Sequence, residues 1–173
     1  MDSSMPKAIL FVAIGGNNIV EGYHSLIDGL QAAVEMLPQH GIEVQKISHW
    51  YKTAAVPISD QPDFLNAVLR CETDLEAHQA LRVLQEIEAQ FGRIRTVKNA
   101  ERTVDLDIID FGQGLFVEPS LTLPHPRLQD RAFVLYPLRD VAPDWVHPIS
   151  HKAIAQLIRE LPEGQDISKF KSN

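Results

Sequence analysis

The segment Ala8-Ile9-Leu10-Phe11-Val12-Ala13-Ile14 is apolar without a break and ends in Gly15-Gly16-Asn17-Asn18. A run this short, closed by turn residues, reads as a buried central strand of a sheet. Leu26, Leu30, Ala33, Val34 and Leu37 then recur at helical spacing, and Pro38 with Gly41 closes that helix. Residues 44–51 are mixed but β-rich, and Phe64 to Cys71 alternates as a strand; between them lies a loop with two prolines, residues 53–63. After a cap expected at Thr73-Asp74, Leu75, Leu81, Leu84, Ile87 and Phe91 lay an apolar stripe along a second helix stopped by Gly92.

The next strand is Arg102-Thr103-Val104-Asp105-Leu106-Asp107-Ile108-Ile109-Asp110. The order of elements is therefore βαββαβ. It predicts an α+β, ferredoxin-like sandwich: one antiparallel sheet with both helices on one face and the other face left for a site. Farther on, Leu123-Pro124-His125-Pro126-Arg127 is extended by its prolines, residues 131–140 form a short helix or turn, and residues 150–161 a last amphipathic helix. The final dozen residues are polar and are expected to lack fixed structure. Nothing marks a linker or repeat, so residues 1–173 read as a single domain, with a core over about 8–148 and a helix and polar tail over 150–173.

On the strand at 104–108, Val104, Leu106 and Ile108 share one face, and Asp105 and Asp107 point together to the other. At a separation of about 6 Å and an effective dielectric near 20, their repulsion is roughly 3 kcal/mol. Either one carboxylate binds a proton or a cation sits between them, and paired hard oxygens on a rigid strand suit Mg²⁺. The alternative is an edge strand whose acids discourage aggregation. The preceding segment tips the balance, because Arg93, Arg95, Lys98 and Arg102 face a single acid, Glu101, within residues 91–102. Forked Arg donors opposite a metal are how a polyphosphate is held, so phosphoryl chemistry leads.

Composition removes other classes. The net charge is −7, which argues against a nucleic-acid or anionic-membrane partner. A lone cysteine, Cys71, excludes an internal disulfide and a thiolate zinc site, and reads as a small buried hydrophobe. His147 and His151 are separated by Pro148, which argues against a metal pair and places both at the surface. Neither a signal peptide nor a membrane span is read, so the cytoplasm is the expected address and a monomer the expected state. No phosphate loop, dinucleotide fingerprint or protein-kinase signature is present.

Gln61-Pro62-Asp63-Phe64-Leu65-Asn66-Ala67-Val68, Gly92-Arg93-Ile94-Arg95, residues 102–108, Pro124-His125-Pro126-Arg127 and Arg131-Ala132-Phe133-Val134-Leu135 resemble, in this order, the 6-hydroxymethyl-7,8-dihydropterin pyrophosphokinase family. The resemblance implies the same sandwich fold and transfer of pyrophosphate from ATP to the pterin hydroxymethyl oxygen, leaving AMP, in folate biosynthesis. It further implies that Asp105 and Asp107 hold two Mg²⁺ ions and that Arg93 and Arg102 neutralise the moving phosphates. Gln85, Glu88, Arg95, His125 and Arg131 then belong to the ATP side. Phe64 and Phe133 sandwich the pterin ring, while Thr53, Val56 and Asn66 read its edge. Against the family pattern, Gly16 replaces a usual serine, Ala54 a frequent proline, and Ala100-Glu101 a Gly-Pro or Ala-Pro pair. Two rival readings use the same residues: a module that binds a small ligand without chemistry, and a Mg²⁺-dependent phosphohydrolase.

Overall fold

The computed structural model describes residues 6–54, 62–92 and 103–171, so the expectations placed on Val56, Arg93, Arg95 and Arg102 lie outside the described residues. Strand β1 (Ala8–Gly16) leads into helix α1 (Leu26–Met36), whose first turn is capped by the Ser25 hydroxyl accepting from the Asp28 N–H. A single 3₁₀ turn at Pro38–His40 ends on Gly41, which takes the left-handed conformation at φ 91° and swings the chain into β2 (Ile42–Ile47). Then come β3 (Tyr51–Thr53), β4 (Phe64–Thr73), α2 (Ala77–Gln90) and β5 (Asp105–Phe111). Helix α2 starts later than expected, because Glu76 and Gln79, rather than Thr73 and Asp74, form the capping box.

The sheet runs β5-β1-β4-β3, with β2 also pairing β4 and all of these pairs antiparallel. The expected single strand over residues 44–51 is thus two. They are separated by a break that Ser48 bridges: its N–H donates to the Val68 carbonyl and its hydroxyl accepts from the Val68 N–H at 2.9 Å. The side chain there does what a strand backbone would otherwise do.

Both α1 and α2 pack on one face, against Leu10, Val12, Ile14, Leu65, Ala67, Leu69, Leu106 and Ile108. The opposite face is not left wholly open. Helix α3 (Ala132–Val141) and helix α4 (Ile154–Arg159) cover part of it through Val134, Leu135, Leu138, Ile154 and Leu157, meeting Phe11, Val68 and Ile109. A small hairpin, β6 (Phe116–Glu118) and β7 (Leu121–Leu123), precedes α3. The polar tail is also ordered in part: β8 (Ile167–Lys169) pairs with β3 and extends the sheet. Its backbone completes an otherwise bare edge. Cys71 is buried as expected, whereas His147 is buried rather than at the surface, its Nδ1 accepting from the Ile149 and Ser150 N–H groups. Among the described residues no helix is long and apolar enough to cross a membrane.

Replacing Ser48 by Ala removes the acceptor for a fully buried Val68 N–H, and stability should fall by about 1–3 kcal/mol. The expected reading is a lower urea midpoint at unchanged slope. An unmoved midpoint would show that the hydroxyl is not what closes the break.

Candidate active site

The site is built across the sheet by register. Gly15 of β1 pairs with Asp105 of β5 on one side and Asn66 of β4 on the other, and Asn66 in turn pairs with Tyr51 of β3. Cross-strand partners share a face, so Asp105, Asn66 and Tyr51 all point to the side that carries α3. Asp107, two residues along, pairs with Ala13 and joins that face, and both carboxylates are half-buried. Gly15 keeps the row open. A Cβ there would stand 2.4 Å from Asn66 Oδ1, far inside contact distance. Asn66 is buried, and its Nδ2 donates to Thr53 Oγ1 at 2.9 Å, which orients the amide. Phe64 opens β4 on the same face and is half-buried.

The second wall comes from the segment before and into α3. The His125 N–H donates to the Ile109 carbonyl at 2.9 Å, tying that segment to β5, and the Arg127 N–H donates to His125 Nδ1. Nε2 therefore carries the imidazole proton. Burial, and then the charges of Arg131 and Arg127, lower the His125 pKa to about 4, with Asp105 acting the other way. Arg131 precedes α3; burial and Arg127 push its pKa down while Asp107 and Asp105 push it up, so the guanidinium sits within the field of the carboxylate pair. The same guanidinium lies over the Phe133 ring at 5.4 Å, and Phe133 is in the first turn of α3. A cavity of about 560 Å³ opens beside His125, with Thr122, Pro124, Gln129 and Ile149 in its walls.

Two further acids lie near the pair. Glu88 on α2 is 1% exposed and its carboxylate accepts from the Leu106 N–H at 2.9 Å, on the outer side of edge strand β5. That bond holds the backbone between Asp105 and Asp107. Gln85 is exposed on the same helix, which packs on the other face of the sheet. Asp110, to which the sequence assigned nothing, is equally buried and accepts from the Gln113 N–H, Gln113 Nε2 and Trp145 Nε1. A β5 irregularity explains its position. Val12 pairs with Ile108 and Phe11 with Asp110, so Ile109 is extra and turns the alternation. Among the described residues no group of three or more His, Cys, Asp or Glu is assembled for a metal.

The family model described as 7,8-dihydro-6-hydroxymethylpterin-pyrophosphokinase matches residues 11–143. The 2-amino-4-hydroxy-6-hydroxymethyldihydropteridine pyrophosphokinase of Synechocystis is 42% identical over 151 residues, covering 87% of this chain and 74% of that protein. The Haemophilus influenzae protein of the same name is 34% identical, over 88% of this chain and 92% of its own length. The folic acid synthesis protein fol1 of Schizosaccharomyces pombe is 38% identical over 91% of this chain, which spans only 21% of that longer protein. A crystal structure of Plasmodium falciparum HPPK-DHPS, wild type with pteroate, superposes with a TM-score of 0.70 at 12% identity, over 89% of this chain and 44% of that one. At that identity the superposition speaks to the fold.

Two outcomes follow from these surroundings. Glu88→Ala leaves the Leu106 N–H without its acceptor and should cost about 2–4 kcal/mol, while Glu88→Gln, which keeps an oxygen there, should cost much less. Equal losses in chemical denaturation would mean the negative charge, not the hydrogen bond, matters. For His125, an unfolded pKa of 6.5 and a folded value of about 4 mean that the unfolded chain takes up the proton first as pH falls. Stability is full above pH 6.5 and declines as pH falls toward 4. His125→Gln should flatten that part of the denaturation-against-pH curve in nucleotide-free protein; an unchanged slope would contradict the assignment.

Proposed function

Because the chain belongs to the 7,8-dihydro-6-hydroxymethylpterin-pyrophosphokinase family, we propose that the row Asp105, Asp107 and Asn66, faced by His125, Arg131 and Phe133, is the site of its reaction. That reaction transfers pyrophosphate from ATP to 6-hydroxymethyl-7,8-dihydropterin in folate biosynthesis. The hydroxymethyl oxygen bonds to the β-phosphorus of ATP, the bond from that phosphorus to the α,β-bridging oxygen breaks, and AMP leaves. The hydroxyl proton passes to solvent or base.

The carboxylate pair carries the reading. Asp105 and Asp107 are half-buried, project from one face of a rigid strand and belong to no larger cluster of acids or imidazoles among the described residues. Such a pair suits Mg²⁺, which takes one or two carboxylates and completes its shell with water and phosphate. Asp105 and Asp107 would hold two such ions, whose positive charge would stabilise the transferring group.

Around this pair the chain's own residues orient the reactants. Arg131, already in the carboxylates' field, adds a guanidinium for phosphate oxygens, and neutral His125 offers its Nε2 proton as a donor. The cavity beside His125 is where we place the nucleoside end of ATP. On the pterin side, Asn66, oriented by Thr53, presents amide donors and acceptors to a flat heterocycle, with Phe64 and Phe133 as apolar faces. Arg93, Arg95, Arg102 and Val56 keep the roles the family implies. In the same reading, β1-α1-β2/β3-β4-α2-β5 is a ferredoxin-like core in which β2 and β3 together stand for one strand.

Incubation with Mg-ATP and the hydroxymethyl dihydropterin should yield AMP only when the pterin is present. ADP, or phosphate released without pterin, would contradict the reading. Asp107→Asn should lower turnover by at least about a hundredfold, since a metal-holding carboxylate is lost. Its thermal midpoint should stay close to wild type, because the relieved repulsion from Asp105 offsets the lost attraction to Arg131. Wild-type turnover in this variant would remove Asp107 from the mechanism.

A further inference from the structure

The C-terminal segment lies beyond the residues matched by the family model, yet it touches both walls of the candidate site. Gly164, left-handed at φ 88°, turns the chain so that the Gln165 amide reaches the start of α3. There it makes two bonds that straddle one residue. Gln165 Oε1 accepts from the Ala132 N–H at 2.9 Å, and Gln165 Nε2 donates to the Asp130 carbonyl at 2.9 Å. The residue between them is Arg131. Helix α3 has no N-cap side-chain bond of its own, and its first N–H group, that of Ala132, is satisfied by this distant amide. Five residues on, the Phe170 N–H donates to the Trp50 carbonyl at 2.7 Å, and β8 pairs with β3 through Thr53, whose hydroxyl orients Asn66.

We propose that Gln165 is a positioning residue for the transfer reaction: it clamps the backbone on either side of Arg131 and thereby aims the guanidinium at the ATP phosphates beside Asp105 and Asp107. The inference rests on the functional reading above, since it gives Arg131 a task. A purely structural staple would affect stability and nothing else. A clamp acts through Arg131, so its loss and the loss of Arg131 should not add.

The test uses the full chain with Gln165→Met, which keeps the length of the side chain and removes both polar ends. The expected result is a fall in kcat/KM for Mg-ATP between about tenfold and a hundredfold. The same substitution in an Arg131→Ala background should lower it no further. Independently of activity, amide exchange at residues 132–134 should quicken by about tenfold, with β1 and β4 unchanged. Additive losses in the double variant, or wild-type kinetics in Gln165→Met, would overturn the inference while leaving the functional reading intact. Should the wild-type protein form no AMP, that reading falls by itself. Amide exchange then still judges the clamp, and unaltered protection at 132–134 would overturn it.

Discussion

The register of β1 between β5 and β4 is the constraint on which the site depends. Pairing Gly15 with Asp105 and with Asn66 puts a carboxylate and an amide in one row on one face. A slip by one residue would turn Asp105 and Asp107 into the packing against α1 and α2, and send Leu106 and Ile108 outward. The apolar row of β5 therefore does more than fill the core. Burying Leu106 and Ile108 against α1 and α2 puts both acids on the opposite face, and Gly15 leaves the space that Asn66 Oδ1 occupies.

Burial divides the acids of this region by task. Glu88 and Asp110 are each 1% exposed, and each receives N–H donors: the Leu106 backbone for one, Gln113 and Trp145 for the other. A carboxylate withdrawn from water is tolerable only with such partners. Asp105 and Asp107 stay half-buried on the face that carries α3, near enough to Arg131 to share its field. Glu88 thus supports the strand that carries the two carboxylates proposed for the reaction.

Much of this was readable in advance because it depends on local spacing. The alternation in 104–108 predicted which side chains face inward, and the helical stripes over Leu26–Leu37 and Leu81–Phe91 predicted α1 and α2 on one face. The family resemblance named Asp105, Asp107, Asn66, His125, Arg131 and Phe133, which the fold brings to one side of the sheet. Other features escaped. The unbroken apolar run at Ala8–Ile14 was itself a sign of cover on both faces, since alternation is absent where neither face meets water, and α3 with α4 supplies the second cover. Glu88 looked like part of a polar helix face. Only its seat beside the edge of β5 reveals a backbone acceptor.

What the sequence determined by itself is periodicity and chemistry: strand and helix order, the two-carboxylate face, and the residue types of a pyrophosphoryl-transfer site. Those properties belong to neighbours in the chain, and neighbours are set by backbone geometry alone. Only the tertiary structure decided partners distant in sequence. Ser48 bridges a break by bonding Val68, Ile109 is skipped so that Asp110 turns toward Trp145, and Gln165 closes over Arg131 from a polar tail. Each is a hydrogen bond whose two ends lie far apart in the chain. No local pattern encodes such a pairing, because which groups meet is settled by packing the whole sheet and its two layers of helices.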